Sequence, residues 1–252
     1  MDLLLKGKRA FVTGGMSNLG RAICTSLAKE GVNILFSYSS LMRKSEATSF
    51  SQSLEKAYGI TAKAVLIDLR DDYSIRSALE KALTDSSLDI LINNAGVFTV
   101  ERITGLTDEQ WNDVMDINVK GIWKMVKYTH SYLEKSRGVI VNISSMNASR
   151  PGFGGTSHYD ASKGAVSAFT RSLAKELSEY GIRVNAVAPG LINSPDLLKN
   201  APELVASYTQ RAALHSLVEP EDIAYLVTFL CSSLSKAMTG EIVTAECGYA
   251  MM

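Results

Sequence analysis

Short apolar runs alternate along the chain with segments whose apolar residues recur at helical spacing. The apolar runs predict strands at residues 9–13, 33–37, 62–67, 89–93, 139–144, 183–187 and 241–245. The segments between them predict helices at 21–29, 45–58, 74–83, within 107–136, at 159–178 and at about 220–232, with an irregular stretch from 189 to about 218. Several strands are almost continuously apolar, which is typical of parallel strands covered on both faces.

This alternation of strands and helices predicts an α/β fold. We expect residues 1–252 to form a single domain, a Rossmann-type doubly wound parallel sheet of about seven strands with helices on both faces. A chain of this length can bury a sizeable core without disulfides or metals. In such a sheet ligands bind at the carboxyl ends of the strands, so polar residues at those ends are the first candidates for function.

A turn rich in small residues follows the first predicted strand and opens the first helix. The segment TGGMSNLG occupies positions 13–20. Gly14 and Gly20 would let backbone N–H groups approach a pyrophosphate at the helix N-terminus. Asn18 tolerates left-handed dihedral angles better than most residues other than glycine. The turn predicts a dinucleotide site, with a plain strand–helix connection as the alternative.

The second predicted strand ends in hydroxyl and cationic side chains. A site for NAD usually has an acid there, which binds the ribose 2′-hydroxyl. Here Ser39 and Ser40 are followed by Arg43 and Lys44, and no carboxylate precedes Glu46. This favours a 2′-phosphate and therefore NADP(H). NAD(H) stays possible because the glycine turn itself adds no cation, and the two cations could simply be solvated at a helix start.

The third and fourth predicted strands also end in residues suited to a cofactor cleft. Asp68 and Leu69 follow the third strand, and Asn94, Ala95 and Gly96 follow the fourth. Asp68 could accept a hydrogen bond from an adenine amine, or it could cap the next helix. Because these strand ends meet at one edge of a parallel sheet, we expect both segments to line the same cleft.

The strongest chemical signal is a tyrosine followed by a lysine four residues later. Tyr159 and Lys163 share one face of a predicted helix. A neighbouring ammonium favours the phenolate, so we expect the tyrosine pKa to be lowered and the phenol to exchange protons near neutral pH. Ser145 ends the fifth strand and could hold a substrate oxygen or only cap a turn. Asn118 interrupts an amphipathic helix, which suggests a buried polar network.

These motifs together resemble those of the short-chain dehydrogenase/reductase family, close to its 3-oxoacyl-carrier-protein reductase-like members. The resemblance covers essentially the whole chain. It rests on TGGMSNLG at 13–20, DL at 68–69, NNAG at 93–96, Asn118, ISS ending at Ser145, YDASK at 159–163, Pro189-Gly190, EPEDIA at 219–224 and TGEIVTAECG at 239–248.

The resemblance implies an NADP(H)-dependent oxidoreductase that moves a hydride between nicotinamide and a carbonyl or alcohol carbon. Tyr159 would be the general acid/base, Lys163 would bind the nicotinamide ribose, and Ser145 would orient the carbonyl. Asn118 would hold a water in a proton relay. The implied cofactor contacts are Gly14, Ser17, Asn18, Leu19, Gly20, Ser39, Ser40, Arg43, Asp68, Leu69, Asn94, Ala95, Gly96, Tyr159, Lys163, Pro189, Gly190, Ile192 and Ser194.

The substrate is expected to be a small carbonyl or alcohol compound. The long stretch 191–218 mixes apolar residues with Tyr208 and is interpreted as a substrate lid. The glycine-rich turn after Ser145 would form the opposite wall, with Met146, Asn147 and Phe153 as candidate contacts. Two alternatives remain: an NAD-using alcohol or steroid dehydrogenase, and a non-catalytic NADP-binding regulatory protein.

The composition limits the classes of partner, cellular location and metal site that we expect. Lys+Arg and Asp+Glu are equal at 26 each, so nothing draws the chain to nucleic acid or anionic membranes. No window is apolar enough to span a bilayer. Three cysteines cannot all pair, and the first residues lack the features of a signal or transit peptide, so we expect a cytoplasmic protein. The histidines lack ligand spacing, so no metal is expected, and His158 is interpreted as a turn or surface residue.

Assembly follows from apolar residues on two helices. Trp123, Phe169 and Leu173 are expected to be exposed in the monomer. The family resemblance implies that these helices form a four-helix contact between subunits, giving a homotetramer or a homodimer.

Overall fold

A computed structural model of the chain describes residues 2–84 and 87–251. Its strands are β1 Arg9–Val12, β2 Asn33–Tyr38, β3 Ala62–Leu66, β4 Ile90–Asn93, β5 Val139–Ile143, β6 Arg183–Pro189 and β7 Ile242–Ala245. Its helices are α1 Asn18–Lys29, α2 Lys44–Tyr58, α3 Asp72–Leu83, α4 Asp108–Met115, α5 Gly121–Ser136, α6 Ser157–Glu176, α7 Pro195–Asn200, α8 Pro202–Arg211 and α9 Pro220–Cys231.

All seven strands join one parallel sheet in the order β3-β2-β1-β4-β5-β6-β7. From β1 the chain adds β2 and then β3 on one side of the sheet. It then returns to the centre, where β4 pairs with β1, and the remaining strands follow on the other side. This reversal defines the doubly wound topology, and the predicted fold class is confirmed. The single-domain assignment and the lid remain predictions.

The core consists of two apolar layers, one on each face of the sheet. Successive side chains of a strand point to opposite faces, so Ala10 and Val12 of β1 pack in the layer that contains α1 and α9. Phe11 packs in the other layer, with α3, α5 and α6. β1 therefore needs apolar side chains on both of its faces, and this explains why its buried apolar residues form a continuous run.

Leu173 was wrongly expected to be exposed. It is only 5% exposed and belongs to the core beneath α6. Trp123 on α5 is 45% exposed, as expected, and Phe169 on α6 is partly exposed. Phe169 and Leu173 are four residues apart and therefore lie near each other on one face of α6, so the sequence alone did not show where the boundary between core and surface falls along that face.

The expectation of an irregular stretch from 189 to about 218 was also wrong, because it contains α7 and α8. The Ser194 hydroxyl accepts from the Leu197 N–H at 3.1 Å and caps α7. Pro195 and Pro202 occupy the first helical positions, where proline loses no hydrogen bond. A capping serine therefore marked the start of α7, and a proline marked the start of each helix.

Within residues 2–84 and 87–251, no helix combines the length and the apolar character that a membrane crossing requires.

Candidate active site

The carboxyl ends of β1 to β4 border a cleft of about 510 Å³. β1 and β4 are neighbours that are not consecutive, and doubly wound sheets bind ligands at such a switch point. The cleft is lined by residues predicted to contact a cofactor: Gly14, Ser17, Ser39, Arg43, Asp68, Leu69, Asn94, Ala95 and Gly96. The structure thus brings together strand ends that the sequence presented as four separate segments.

The glycine turn at 13–20 packs closely against the end of β4. Gly14 has a φ of +63°, and a Cβ built on it would lie 2.9 Å from the Ala95 Cα. A Cβ on Gly20 would collide with the Gly14 carbonyl oxygen, and Leu19 is buried beneath the turn. Only residues without a side chain allow these approaches. The turn is therefore compact enough to present its backbone to a phosphate.

Asn18 does not use the left-handed conformation that asparagine tolerates. Within this turn positive φ belongs to Gly14, whereas Asn18 is the first residue of α1. The Ser17 hydroxyl accepts from the Gly20 N–H at 3.0 Å and caps the helix, so no left-handed residue is needed here. The Asn18 amide instead donates to the Asn193 carbonyl at 2.9 Å.

The cation predicted to select a 2′-phosphate lies against the glycine turn. Arg43 donates from Nη2 to the Met16 carbonyl at 3.0 Å and from Nε to Glu46 at 3.0 Å. Glu46 also pairs with Arg21 at 2.5 Å, and the Arg43 hydrogen bond lowers the pKa of its carboxyl. Ser40 caps the turn that ends at Arg43 but lies outside the cleft lining. The pairing of Arg43 with Glu46 was missed, although their i, i+3 spacing indicates it.

Asp68 does not cap the next helix. That position is held by Asp71, which accepts from the Tyr73 N–H. Asp68 accepts two bonds from the Arg70 guanidinium, each at 3.1 Å, and this interaction lowers the pKa of the carboxyl. Arg70 also lies 3.5 Å from Asp113 on α4. A contact between Asp68 and adenine stays a prediction.

The tyrosine, serine and lysine singled out from the sequence lie together beyond the ends of β4 and β5. Ser145 follows β5, and its hydroxyl lies close enough to the Tyr159 phenol to lower the pKa of that group. Lys163 is buried, donates from Nζ to the Ile143 carbonyl at 2.8 Å, and lies 5.6 Å from the centroid of the Tyr159 ring. A phenol, a hydroxyl and an ammonium therefore share one small volume beside the cleft.

The expected lowering of the tyrosine pKa is not found. Burial raises the pKa of Tyr159 to about 12, the Ser145 hydrogen bond opposes this rise, and the charge of Asp160 adds to it. Burial also lowers the pKa of Lys163 to about 8. The physical reason is that both charged forms lose solvation, while the ammonium is bonded to the Ile143 carbonyl and not to the phenol oxygen.

The burial of Lys163 has a measurable consequence for stability. Between about pH 8 and its ordinary pKa of 10.5, the unfolded chain binds a proton at Lys163 that the folded chain does not, so this group makes the free energy of unfolding rise with pH. From about pH 7 to about pH 10 we expect wild type to gain roughly 2–3 kcal/mol relative to Lys163→Met. Urea unfolding at each pH measures the free energy of unfolding of both proteins. Lys56→Met, which replaces an exposed lysine, is the control. A constant difference would contradict the lowered pKa.

Asn118 is fully buried in a polar network, as predicted. Its carbonyl oxygen accepts from the Val97 N–H at 2.8 Å, and its amide donates to the Val97 carbonyl at 3.0 Å and to the Ser162 hydroxyl at 3.1 Å. It lies in a π-helical turn, Asp116–Lys120, between α4 and α5. Such turns are frequent at functional sites, and this one joins the segment after β4 to α6.

The residues after β6 are held by the C-terminal segment. Pro189 ends β6, and the Gly190 N–H donates to the Ala245 carbonyl at 2.9 Å. A Cβ on Gly190 would collide with the hydroxyl of Tyr208, which donates to the Glu246 carbonyl at 2.7 Å. Ile192 forms a β-bridge with Val218, and Ser194 caps α7. None of these four predicted contacts belongs to the lining of the 510 Å³ cleft.

Comparison with known proteins decides the family. A family model described as Enoyl-(Acyl carrier protein) reductase matches residues 14–250. The 3-oxoacyl-[acyl-carrier-protein] reductase of Staphylococcus aureus is 33% identical over 97% of this chain and 98% of its own length. That of Aquifex aeolicus is 34% identical over 98% and 99%, respectively. The chain belongs to the short-chain dehydrogenase/reductase family.

Solved structures of this family superimpose closely. The blue fluorescent protein from a metagenomic library, in complex with NADPH, has a TM-score of 0.90 and 35% identity, covering 98% of this chain and 99% of its own. L-sorbose reductase from Gluconobacter frateurii, complexed with NADPH and L-sorbose, has a TM-score of 0.92 and 27% identity, with full coverage of both chains. The family predicted from the motifs is confirmed, and with it the oxidoreductase class.

Sequence reasoning missed the surroundings of Tyr159 in this short-chain dehydrogenase/reductase. His158 is fully buried, not at the surface, and its Nε2 lies 2.7 Å from the Thr99 hydroxyl. The Phe98 ring packs edge-on against the rings of Tyr159 and Phe153, with distances between ring centroids of 4.8 Å and 6.1 Å, respectively. The only signal was position, since Phe98 and Thr99 follow the NNAG motif at the end of β4. The burial of His158 results from the loop that covers it.

Proposed function

We propose that the protein is an NADP(H)-dependent ketoreductase or alcohol dehydrogenase, with Tyr159 as its general acid/base. The observation that carries this is the grouping of the Tyr159 phenol with the Ser145 hydroxyl and the buried Lys163, next to a cleft at the switch point of a short-chain dehydrogenase/reductase. Two structural neighbours were solved with NADPH, and one of them is a sugar reductase.

The residues present fit a dinucleotide. The Gly14–Ala95 approach leaves a side-chain-free cradle before α1, whose N-terminus attracts phosphate. Ser39 and Arg43 line the cleft where a 2′-phosphate would be held, and no carboxylate of the second strand opposes it. We propose the cofactor contacts as predicted, with Arg43 setting the preference for NADP(H). When bound, the cofactor supplies or accepts the hydride.

The side chains would divide the proton chemistry among them. In reduction, negative charge grows on the substrate oxygen, and the Ser145 and Tyr159 hydroxyls would donate to it. Donors already in place need no reorganisation as charge develops. The high pKa of Tyr159 keeps its proton available for transfer to that oxygen. Lys163 would hold the ribose hydroxyls, and Asn118 would fix the segment that carries Val97.

The test is a panel of ketones and alcohols assayed with both cofactors by nicotinamide absorbance. The panel includes ethyl acetoacetate as a 3-oxoacyl analogue and L-sorbose as a ketose, because the relatives act on these classes. We expect NADPH-dependent reduction of at least one ketone. Activity with NADH alone would favour the NAD-using alternative. NADPH binding without turnover of any panel member would favour a regulatory protein.

We also propose that the subunits associate through α5 and α6 as a homodimer or homotetramer. An open apolar groove of about 600 Å³ lies between the helices, lined by the exposed Trp123 and the partly exposed Phe169. A second copy would cover this face, as the family resemblance implies. Trp123→Glu should convert the assembly to a smaller species in light scattering, whereas Tyr73→Glu, on an exposed tyrosine elsewhere, should not. A monomeric wild type would contradict this proposal.

We propose a cytoplasmic location, because Cys24 and Cys231 are buried free thiols and such unpaired cysteines are typical of reducing compartments. Cell fractionation with a tagged chain tests it, and recovery outside the cytoplasm would refute it.

A further inference from the structure

One carboxylate ties the loop after β5 to helix α6. Asp160 accepts hydrogen bonds from the Asn147 amide at 2.7 Å, the Gly152 N–H at 2.9 Å and the Thr156 hydroxyl at 3.0 Å. The three donors are spread along the loop 146–156. Three bonds to one side chain fix the loop at both ends and at its middle, which a turn of this glycine content would not achieve by itself.

The same contacts continue to the serine beside Tyr159. The Asn147 N–H donates to the Ser145 hydroxyl oxygen at 3.2 Å. Because this bond occupies an acceptor site of the serine, it favours a rotamer in which the serine proton points elsewhere, towards the phenol or a substrate oxygen. Asp160 therefore acts on the orientation of Ser145 through Asn147.

Packing within the loop is as tight as its hydrogen bonding. A Cβ on Gly152 would lie 2.5 Å from the Asn147 amide nitrogen and 2.6 Å from the Thr156 hydroxyl. The loop is therefore tightly packed at Gly152, beside Asp160. Its partners in the loop are neutral donors, and next to the larger effect of burial the charge of Asp160 raises the pKa of the neighbouring Tyr159.

We propose that Asp160 is a positioning residue, which holds loop 146–156 as a rigid wall of the substrate site and, through Asn147, orients the Ser145 hydroxyl. This inference rests on the proposed ketoreductase function. A purely structural reading is that Asp160 only stabilises the start of α6, where an acid interacts favourably with the helix dipole. The two readings differ in what happens to the loop and to substrate binding.

The variants Asp160→Ala and Asp160→Asn distinguish the positioning role from the purely structural role. Loss of three hydrogen bonds in the alanine variant should raise KM for ethyl acetoacetate about tenfold or more, with KM for NADPH within about twofold. Asparagine keeps an acceptor oxygen for Gly152 and Thr156 and should recover most of the KM. Both variants remove the charge and should shift the pH profile of reduction to lower pH. Asp108→Ala is the control, because Asp108 is an acid in the first turn of another helix.

Hydrogen exchange in the free protein gives a readout that needs no turnover. We expect amides of 146–156 to exchange faster in Asp160→Ala than in wild type, and to be restored in Asp160→Asn. Unchanged exchange of this loop in the alanine variant overturns the proposal, even if wild type reduces no ketone. Faster exchange of this loop in Asp160→Ala than in wild type, together with a wild type that reduces no ketone, would support the role of Asp160 in holding the loop and refute the proposed function instead. A lowered melting temperature with unchanged KM and loop exchange would also overturn it.

Discussion

Tyr159→Phe is expected to lower kcat for ketone reduction by about 10³-fold while NADPH binding stays within about twofold. The change removes the hydroxyl that lies beside Ser145 and leaves the ring packed against Phe98. The lost group is the proposed proton donor, and general acid–base catalysis contributes on this order. Nicotinamide absorbance measures turnover, and NADPH fluorescence measures binding.

The matched control is Tyr73→Phe, on an exposed tyrosine outside the cleft, which should keep full activity. Melting temperatures of both variants exclude a folding defect. If Tyr159→Phe turned over at the wild-type rate, the assigned role would be wrong. If it lost turnover and NADPH binding together, the hydroxyl would act in cofactor binding and not in proton transfer.

Arg43→Ala is expected to weaken NADPH binding by about 10- to 100-fold and to leave NADH binding within about twofold. A charged hydrogen bond contributes about 1.5–3 kcal/mol, and 1.4 kcal/mol corresponds to a factor of ten. Only NADPH carries the 2′-phosphate that the guanidinium would meet. Fluorescence titration with each cofactor measures both affinities, and Lys44→Ala is the control for a neighbouring cation.

Glu46→Gln sharpens this test. Glu46 forms ion pairs with Arg43 and Arg21. A 2′-phosphate would therefore have to compete with the Glu46 carboxylate for the Arg43 guanidinium. Removing the charge should tighten NADPH binding a few-fold without affecting NADH. Equal loss of both cofactors in Arg43→Ala, or a larger effect of Lys44→Ala, would contradict the assignment and leave these cations as solvated residues at a helix start.

The errors of sequence interpretation concern packing against distant segments. The cap of α7 and the prolines that begin both helices were visible, but these two short helices are mostly exposed and bury no side chain other than that of Tyr208. The tyrosine pKa was judged from the spacing of Tyr159 and Lys163. Spacing places both on one face of α6 but does not show how far burial desolvates each group, and burial determined both shifts.

Local patterns along the chain determined the parallel sheet, the glycine turn, and the placing of Tyr159 and Lys163 on one helix face, because each depends on short-range periodicity or spacing. Tertiary structure alone decided that Asp160 accepts three hydrogen bonds from loop 146–156, that Glu46 also pairs with Arg21, and that Leu173 is buried. Each of these depends on which segments lie next to each other in the folded chain. Strand order and helix packing determine those contacts, and a local sequence pattern does not extend far enough to show them.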